Sequence, residues 1–491
     1  MSTQLFTENL GQRIAIAGLV IYVAFAPHSV AGSVIGVAVS GIGWAIRTAA
    51  TRSFGLRPSF GRSKFDLVIV LSLLWTALSS ALSEEPDISL AKLASVWTVF
   101  VLYLTRAVLT RRTALLLVGL LILSGCVGAA YSAFDLLRGR GVVIESIAPG
   151  SPFQQIGVLR GDTIWRVGGQ RVYSVGEIDE ALKNAPVGVP LTVSMISQGE
   201  HVERPGFVLT SAQQQAISPA GVTGSERNHR FRASGWTRHY ETFSEVLQII
   251  ALLALGLAFA HLRNHGPNKY FRIALAAAAV LTLGLVFTAM RTVIVAFVIG
   301  ACVIAWRSLR GAYKVVFTFA LFFVLAFGAV VVWQTRARDA LSLNDPSSRL
   351  RFEVARVGMS RIPVHPVFGH GMDAMKRHWN EWGFPGKDML HLHSTPLQLA
   401  FDRGLPMLLL WLSMMILFWT HISTSVRQAT DLSDTHVYGV LLGGLGGLSG
   451  FLASSLVNYN YGDSEVAMLF WWLMGVCVFC TSDNRLIRSE P

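Results

Sequence analysis

Five histidines, His365, His370, His378, His391 and His393, fall within thirty residues of this chain. The last two open HLHSTPLQLAFDRGLPMLLLW, residues 391 to 411, at the lip of a long apolar run. Imidazole titrates near neutrality, so it can take a proton from a hydroxyl or bind a metal. Arginines lie within the same reach of chain. Arg349, Arg351, Arg356 and Arg361 alternate with Leu350, Phe352, Val354, Val357 and Met359 at helical spacing, a pattern suited to a membrane interface. Upstream, Arg232, Arg238 and Arg291 stand at the ends of apolar runs. A guanidinium fork there can hold a phosphate by two hydrogen bonds, or simply anchor to a phospholipid headgroup.

Other chemistries fit less well. No histidine is followed by glutamate, so the H-E-x-x-H pair of a zinc protease is absent. Gly447-Leu-Ser-Gly450 resembles the serine motif of rhomboid proteases, but no histidine follows His436 to serve as base. Its glycines, with Gly443, Gly444 and Gly446, instead predict close helix packing. His391 and His393 with His370 or His378 match no established zinc spacing, and no metal or other cofactor is expected. All four cysteines lie in apolar runs, where thiols make poor redox centres.

The elements that must position these residues are membrane helices. The 491 residues are 52% hydrophobic and only 14% charged, against about a quarter charged in soluble domains. About twelve runs reach the roughly 20 residues needed to cross a bilayer: 13–29, 30–46, 66–83, 91–107, 113–137, 242–262, 271–290, 291–307, 314–333, 403–422, 436–457 and 464–481. In lipid each must satisfy its own backbone, so each reads as a helix. The fold class is thus an α-helical polytopic membrane protein. The net charge of +12 collects in alternate connections, at Arg47 to Lys64, Arg106 to Arg112, Arg263 to Arg272 and Arg307 to Lys314, while the third connection carries Glu84, Glu85 and Asp87. By the positive-inside rule both termini are then cytoplasmic and the odd-numbered connections face outward. The charge reports topology, not nucleic-acid binding.

Two outward connections are long. In the fifth, Val142 to Ile144, Thr163 to Val167 and Pro190 to Ile196 read as strands, and Glu177 to Lys183 as a helix capped by Ser174. Ala148-Pro-Gly-Ser-Pro152, Gly157-Val-Leu-Arg-Gly-Asp162 and Val167-Gly-Gly-Gln-Arg-Val172 together resemble a bacterial PDZ domain over about 65 residues. That resemblance implies a small α+β domain whose groove, beside the 177–183 helix, takes an extended peptide as an added strand. Gly139, Arg140 and Gly141 would form the loop facing a peptide carboxylate, without the usual apolar residue between the glycines.

The ninth connection carries a second resemblance. His393-Ser394, nine residues, then Gly404-Leu-Pro-Met407 resembles the H-[NSQ]-x9-G-x-x-G signature of the O-antigen ligase and polymerase superfamily, with Met407 in place of the last glycine. Arg232-Ala-Ser-Gly235 with Phe243-Ser-Glu, Thr288-Ala-Met-Arg291, and His365-Pro-Val-Phe-Gly-His-Gly371 resemble further blocks in the same order. The resemblance implies an enzyme of the bacterial inner membrane that moves a glycan from an undecaprenyl-pyrophosphate carrier to an acceptor hydroxyl, such as lipid A core, at the periplasmic face. His393 would be the base, and Arg232, Arg291 and, more weakly, Arg238 would bind the pyrophosphate.

The expected organisation is five helices in 1–137, a periplasmic PDZ domain at 138–205, a linker at 206–241, helices six to nine in 242–333, a periplasmic catalytic loop at 334–402 and three helices in 403–491. A polymerase, a protein O-oligosaccharyltransferase, and a PDZ-bearing scaffold or transporter remain alternatives. A protein or peptide partner for the PDZ domain is also expected.

Overall fold

The computed structural model describes residues 2–54, 64–197, 200–229, 231–237, 239–319, 346–386, 391–429 and 434–488. Arg238 and most of the expected 314–333 span lie outside the described residues. The chain divides into two units, 130–233 and the remainder.

The larger unit is helical. Ten described helices are long and apolar enough to cross a membrane. The 86–108 span is not one continuous helix: a 3-10 stretch, Leu93–Val99, separates Pro86–Lys92 from Phe100–Val108. Close approach is bought with glycine, since lipid gives helices no hydrophobic reason to associate. A Cβ on Gly18 would fall 2.2 Å from the Ser40 amide nitrogen, and one on Gly43 would fall 2.2 Å from that of Ala15, so Ser2–Phe25 and Val30–Thr51 touch backbone to backbone. The Thr435–Ser455 helix uses the glycines expected of it. Gly443 meets Leu253, Gly446 meets Ile304, and Gly447 meets Leu473, which seats this helix among three others. Ser449 donates to its own helix at Leu445 O and accepts from Trp419, as a packing residue would.

Several basic residues assigned to topology are also internal anchors. Arg106 is buried and pairs with Asp66 at 2.8 Å, joining Phe100–Val108 to Lys64–Leu82. Arg47 donates to Gln12 at 2.6 Å and to Ala107 O at 2.9 Å.

The smaller unit is the α+β insert. Its strands are β1 (Val142–Ile147), β2 (Thr163–Val167), β3 (Gln170–Arg171), β4 (Leu191–Ser197), β5 (Glu200–Phe207) and β6 (Val222–Arg227). They form an antiparallel sheet of order β5-β4-β2-β1-β6, with β3 paired to β2. Val142, Ile144, Ile164, Val193 and Met195 form its core with Phe153 and with Ile178 and Leu182 of the Val175–Lys183 helix. The expected linker 206–241 is largely part of this unit. Residues 222–227 pair along β1 as the edge strand, although VTGSER has none of the apolar alternation that marks a half-buried strand.

Candidate functional site

The site is built around a break in the Thr395–Ala429 helix. Gly404 has non-helical backbone angles (φ 78°, ψ 171°), and Pro406 supplies no N–H. The carbonyls of Phe401 and Asp402 therefore lose their partners one turn on, and buried backbone groups rarely go unpaired. The His365–Gly371 turn takes their place. His370 N donates to Phe401 O at 2.9 Å, Gly371 N donates to Asp402 O at 3.0 Å, and Leu405 N is satisfied by Pro366 O at 2.8 Å. A Cβ on Gly404 would fall 1.8 Å from Val367 O, and one on Gly369 would fall 2.5 Å from the Arg403 amide nitrogen. The two sequence blocks are one device: a turn spliced into a helix.

The break fixes what precedes it. Gln398 donates to Asp402 Oδ1 at 2.8 Å and accepts from Leu392 N at 2.7 Å, tying the histidine loop to the helix. His393 has φ 52°, a left-handed conformation that costs a residue with a Cβ about 1 kcal/mol or more. Its amide donates to His391 Nδ1 at 3.2 Å, and the two rings lie 4.2 Å apart. His393 Nε2 is buried without a hydrogen-bond partner among the described residues.

His393 lines a cavity of about 440 Å³, together with Glu245, Asp402, Arg403, Asn458 and Tyr459. The volume is in the range of small-molecule sites. Burial pushes the His393 imidazole down to about 2, with the His391 ring and the Arg351 guanidinium adding to the effect. Burial lowers His391 as well. Both rings are therefore neutral near pH 7, and in the free protein His393 is a weak base.

Other groups facing the cavity come from distant parts of the chain. Glu245 is buried; its Oε1 accepts from Ser454 and, at 3.1 Å, from Asn458, while Oε2 has no partner among the described residues. Arg403 donates weakly to Thr76 at 3.5 Å, and its Nε is likewise unpartnered. Lys92 and Lys376 both pair with Asp373 at 3.0 Å. Arg351 donates to Glu241, a cavity residue, at 2.8 Å, and its Nε is buried without a partner among the described residues.

Of the arginines singled out in the sequence, Arg291 opens the Arg291–Ser308 helix and is exposed. The next residue, Thr292, accepts from Asn458 of the cavity wall at 3.3 Å. Arg232 is exposed and belongs to the smaller unit. Gly235 of the same block has φ 55°, and a Cβ there would fall 2.7 Å from the Phe243 ring, which explains that glycine. Glu245, Arg351 and Arg403 were not chosen from the sequence as site residues. Their one local signal was membership in the blocks and the basic stretch around them.

Among the described residues, the group with metal-ligand spacing joins His370 to Glu84 and His365, not to His391 and His393.

In the smaller unit, the Gly139–Gly141 loop spends its amides internally. Gly139 N donates to Asp135 O at 2.9 Å, Arg140 N donates to Asn228 O at 2.8 Å, and the Arg140 guanidinium pairs with Asp135 at 2.6 Å. These two amides close the junction between the preceding helix and β6. Residues 217–220 pack on the Val175–Lys183 helix. Asp179 accepts from Ala220 N and from the Ser218 hydroxyl, both at 2.8 Å.

Comparison with known proteins assigns both regions. Residues 276–412 match the family model described as O-antigen ligase, which supports a membrane glycosyltransferase of the ligase or polymerase kind. Residues 143–193 match the PDZ domain model. No curated protein matches the chain. The chain is a multi-pass helical membrane protein in which one region, 276–412, is similar to the O-antigen ligase family and another, ahead of it in sequence, is similar to PDZ domains.

Proposed function

We propose that this protein transfers a glycan from undecaprenyl pyrophosphate to an acceptor hydroxyl of lipid A core, at the periplasmic face of the inner membrane. The observation that carries this reading is His393, a cavity-lining residue whose Nε2 is buried without a partner among the described residues. A buried polar atom without a partner costs free energy that a bound hydroxyl can recover. In the proposed step His393 takes the acceptor proton and the acceptor oxygen attacks the anomeric carbon. The sugar–phosphate bond breaks as the new bond forms, leaving its electron pair on the carrier pyrophosphate.

In this reading Arg403 of the cavity wall, with Arg351 and Arg291, would meet the charge that develops on that leaving group. Arg232 and Arg238 are retained as contacts to the carrier headgroup. Arg351 has a second effect. Its charge holds His393 down in the free protein. A pyrophosphate paired with Arg351 would offset that charge and make His393 a stronger base, so donor binding would prime the base. Glu245 Oε2 would accept a hydrogen bond from a sugar or acceptor hydroxyl.

The test is the envelope glycan profile of a strain lacking the protein, rescued by wild type or by His393→Ala. Long carrier-linked chains that fail to reach lipid A in the deletion and the variant support ligation. Single repeats already on lipid A would replace the ligase reading with a polymerase, and loss confined to glycoproteins would replace it with protein glycosylation. Full rescue by His393→Ala would remove His393 from the mechanism.

A further inference from the structure

Outside the cavity, His365, His370 and Glu84 bring two imidazoles and a carboxylate together, with one ligand atom of each within 4.8 Å of the others. His365 Nε2 lies 3.5 Å from Glu84 Oε2, and His370 Nδ1 meets the same carboxylate oxygen directly. His370 is only 1% exposed, and its other nitrogen, Nε2, lies 3.0 Å from Arg361 O. A carbonyl can only accept, so Nε2 carries the proton. Nδ1 shares a proton with Glu84, and once a cation displaces that proton the Nδ1 lone pair is directed at the Glu84–His365 pair. This is how a second-shell carbonyl orients a metal-binding histidine. Phe401 and Trp382 pack 4.6 and 4.9 Å from the His370 ring and hold it in place.

We propose that Glu84, His365 and His370 form a binding site for a divalent zinc-class cation. Two imidazoles and one carboxylate select zinc or its neighbours over magnesium and calcium, which prefer all-oxygen sets. Ligand atoms about 2.0–2.2 Å from zinc stand a little over 3 Å apart. The His365–Glu84 separation already fits, and the His370–Glu84 contact must open to admit the ion. Glu84 and His365 are partly exposed, which leaves a fourth position for water.

The cation would act as a clamp rather than in the cavity. Glu84 follows the Lys64–Leu82 helix, whereas His365 and His370 bracket the turn spliced into the broken helix. Nearby ties follow the same line: Glu85 N donates to His370 O at 3.1 Å, and Met372 N donates to Ser89 Oγ at 3.1 Å. The clamp would fix the turn against the third connection, and through it the helix break that aims Asp402 and Arg403.

The experiment is Zn²⁺ titration of the full-length, chelator-stripped protein in detergent, read by calorimetry and by the thermal unfolding midpoint. His365→Ala is the principal variant, because that side chain is partly exposed and its loss should not disturb the fold. Glu84→Gln is the second, and His378→Ala controls for other surface histidines. Wild type and His378→Ala should bind one Zn²⁺ that His365→Ala and Glu84→Gln hold at least about a hundredfold more weakly, since outer-shell losses alone reach that size. Zn²⁺ should raise the midpoint of wild type and not of those two. Equal Zn²⁺ binding by wild type and His365→Ala, or none by either, would overturn the proposal and leave His370 and Glu84 as a proton-mediated pair.

Discussion

The PDZ insert and the helix-break region solve the problem of an irregular backbone in opposite ways. In residues 130–233, every described residue with positive φ is a glycine, and at Gly150, Gly157, Gly161 and Gly169 an added Cβ would meet nothing within 4 Å. Those glycines only turn the chain. Around the cavity, positive φ falls on Asp373 and His393, which have side chains to use, and the glycines at 369 and 404 are pressed against backbone. Positive φ on residues with side chains is a form of strain that clusters at ligand sites; two of the four described examples, Asp373 and His393, line the cavity, and Arg52 and Ala289 do not.

The sharpest way to break this contrast is His393→Ala. A positioned base contributes about 10²–10⁴-fold. Transfer from a purified undecaprenyl-pyrophosphate glycan should therefore fall by about a thousandfold while the protein remains inserted and folded; a drop of less than tenfold would end the assignment.

Gly404→Ala should come next, because its Cβ cannot coexist with Val367 O. The expected loss is several kcal/mol, seen as a collapse in the yield of folded protein. Gly150→Ala in the insert should cost only about 1 kcal/mol by thermal unfolding. Comparable losses at the two positions would erase the distinction drawn here.

Arg351→Gln should weaken donor binding about tenfold in KM, as a charge-assisted contact is lost. The same change should raise the His393 pKa, because one of the causes holding it down is removed. In wild type the acid limb of kcat/KM should lie below pH 6.5, and in the variant it should move up. An unmoved limb would separate Arg351 from the base.

The smallest effect expected is on stability against pH. His393 has a folded pKa below its unfolded value, so on acidification the unfolded chain binds the proton first. Its contribution is complete above about pH 6.5 and is lost as pH falls toward about 2. The neutral variant His393→Gln should flatten this acid slope, measured by denaturant unfolding at pH 7 and pH 5.

Much of the site was legible because its blocks are local. His393, the His365–Gly371 turn and Gly404 each announce themselves by residue type and spacing. Arg351, Arg403 and Glu245 did not. In sequence an arginine on an amphipathic stretch is the same whether it faces headgroups or a cavity, and Glu245 is one carboxylate in an apolar run. The edge strand β6 was missed for a related reason: its residues are polar on both faces, and only its pairing to β1, some eighty residues earlier, makes it a strand.

By itself the sequence determined the membrane character, the inserted α+β domain, and the histidine and glycine blocks, because hydrophobic length, β alternation and turn chemistry are written over short windows. The tertiary structure alone decided that the turn fills the helix break, that His393 Nε2 is buried without a partner among the described residues, and that Glu84 meets His365 and His370. Those outcomes depend on hydrogen bonds and burial between segments tens to hundreds of residues apart, and no local pattern encodes which segments will meet.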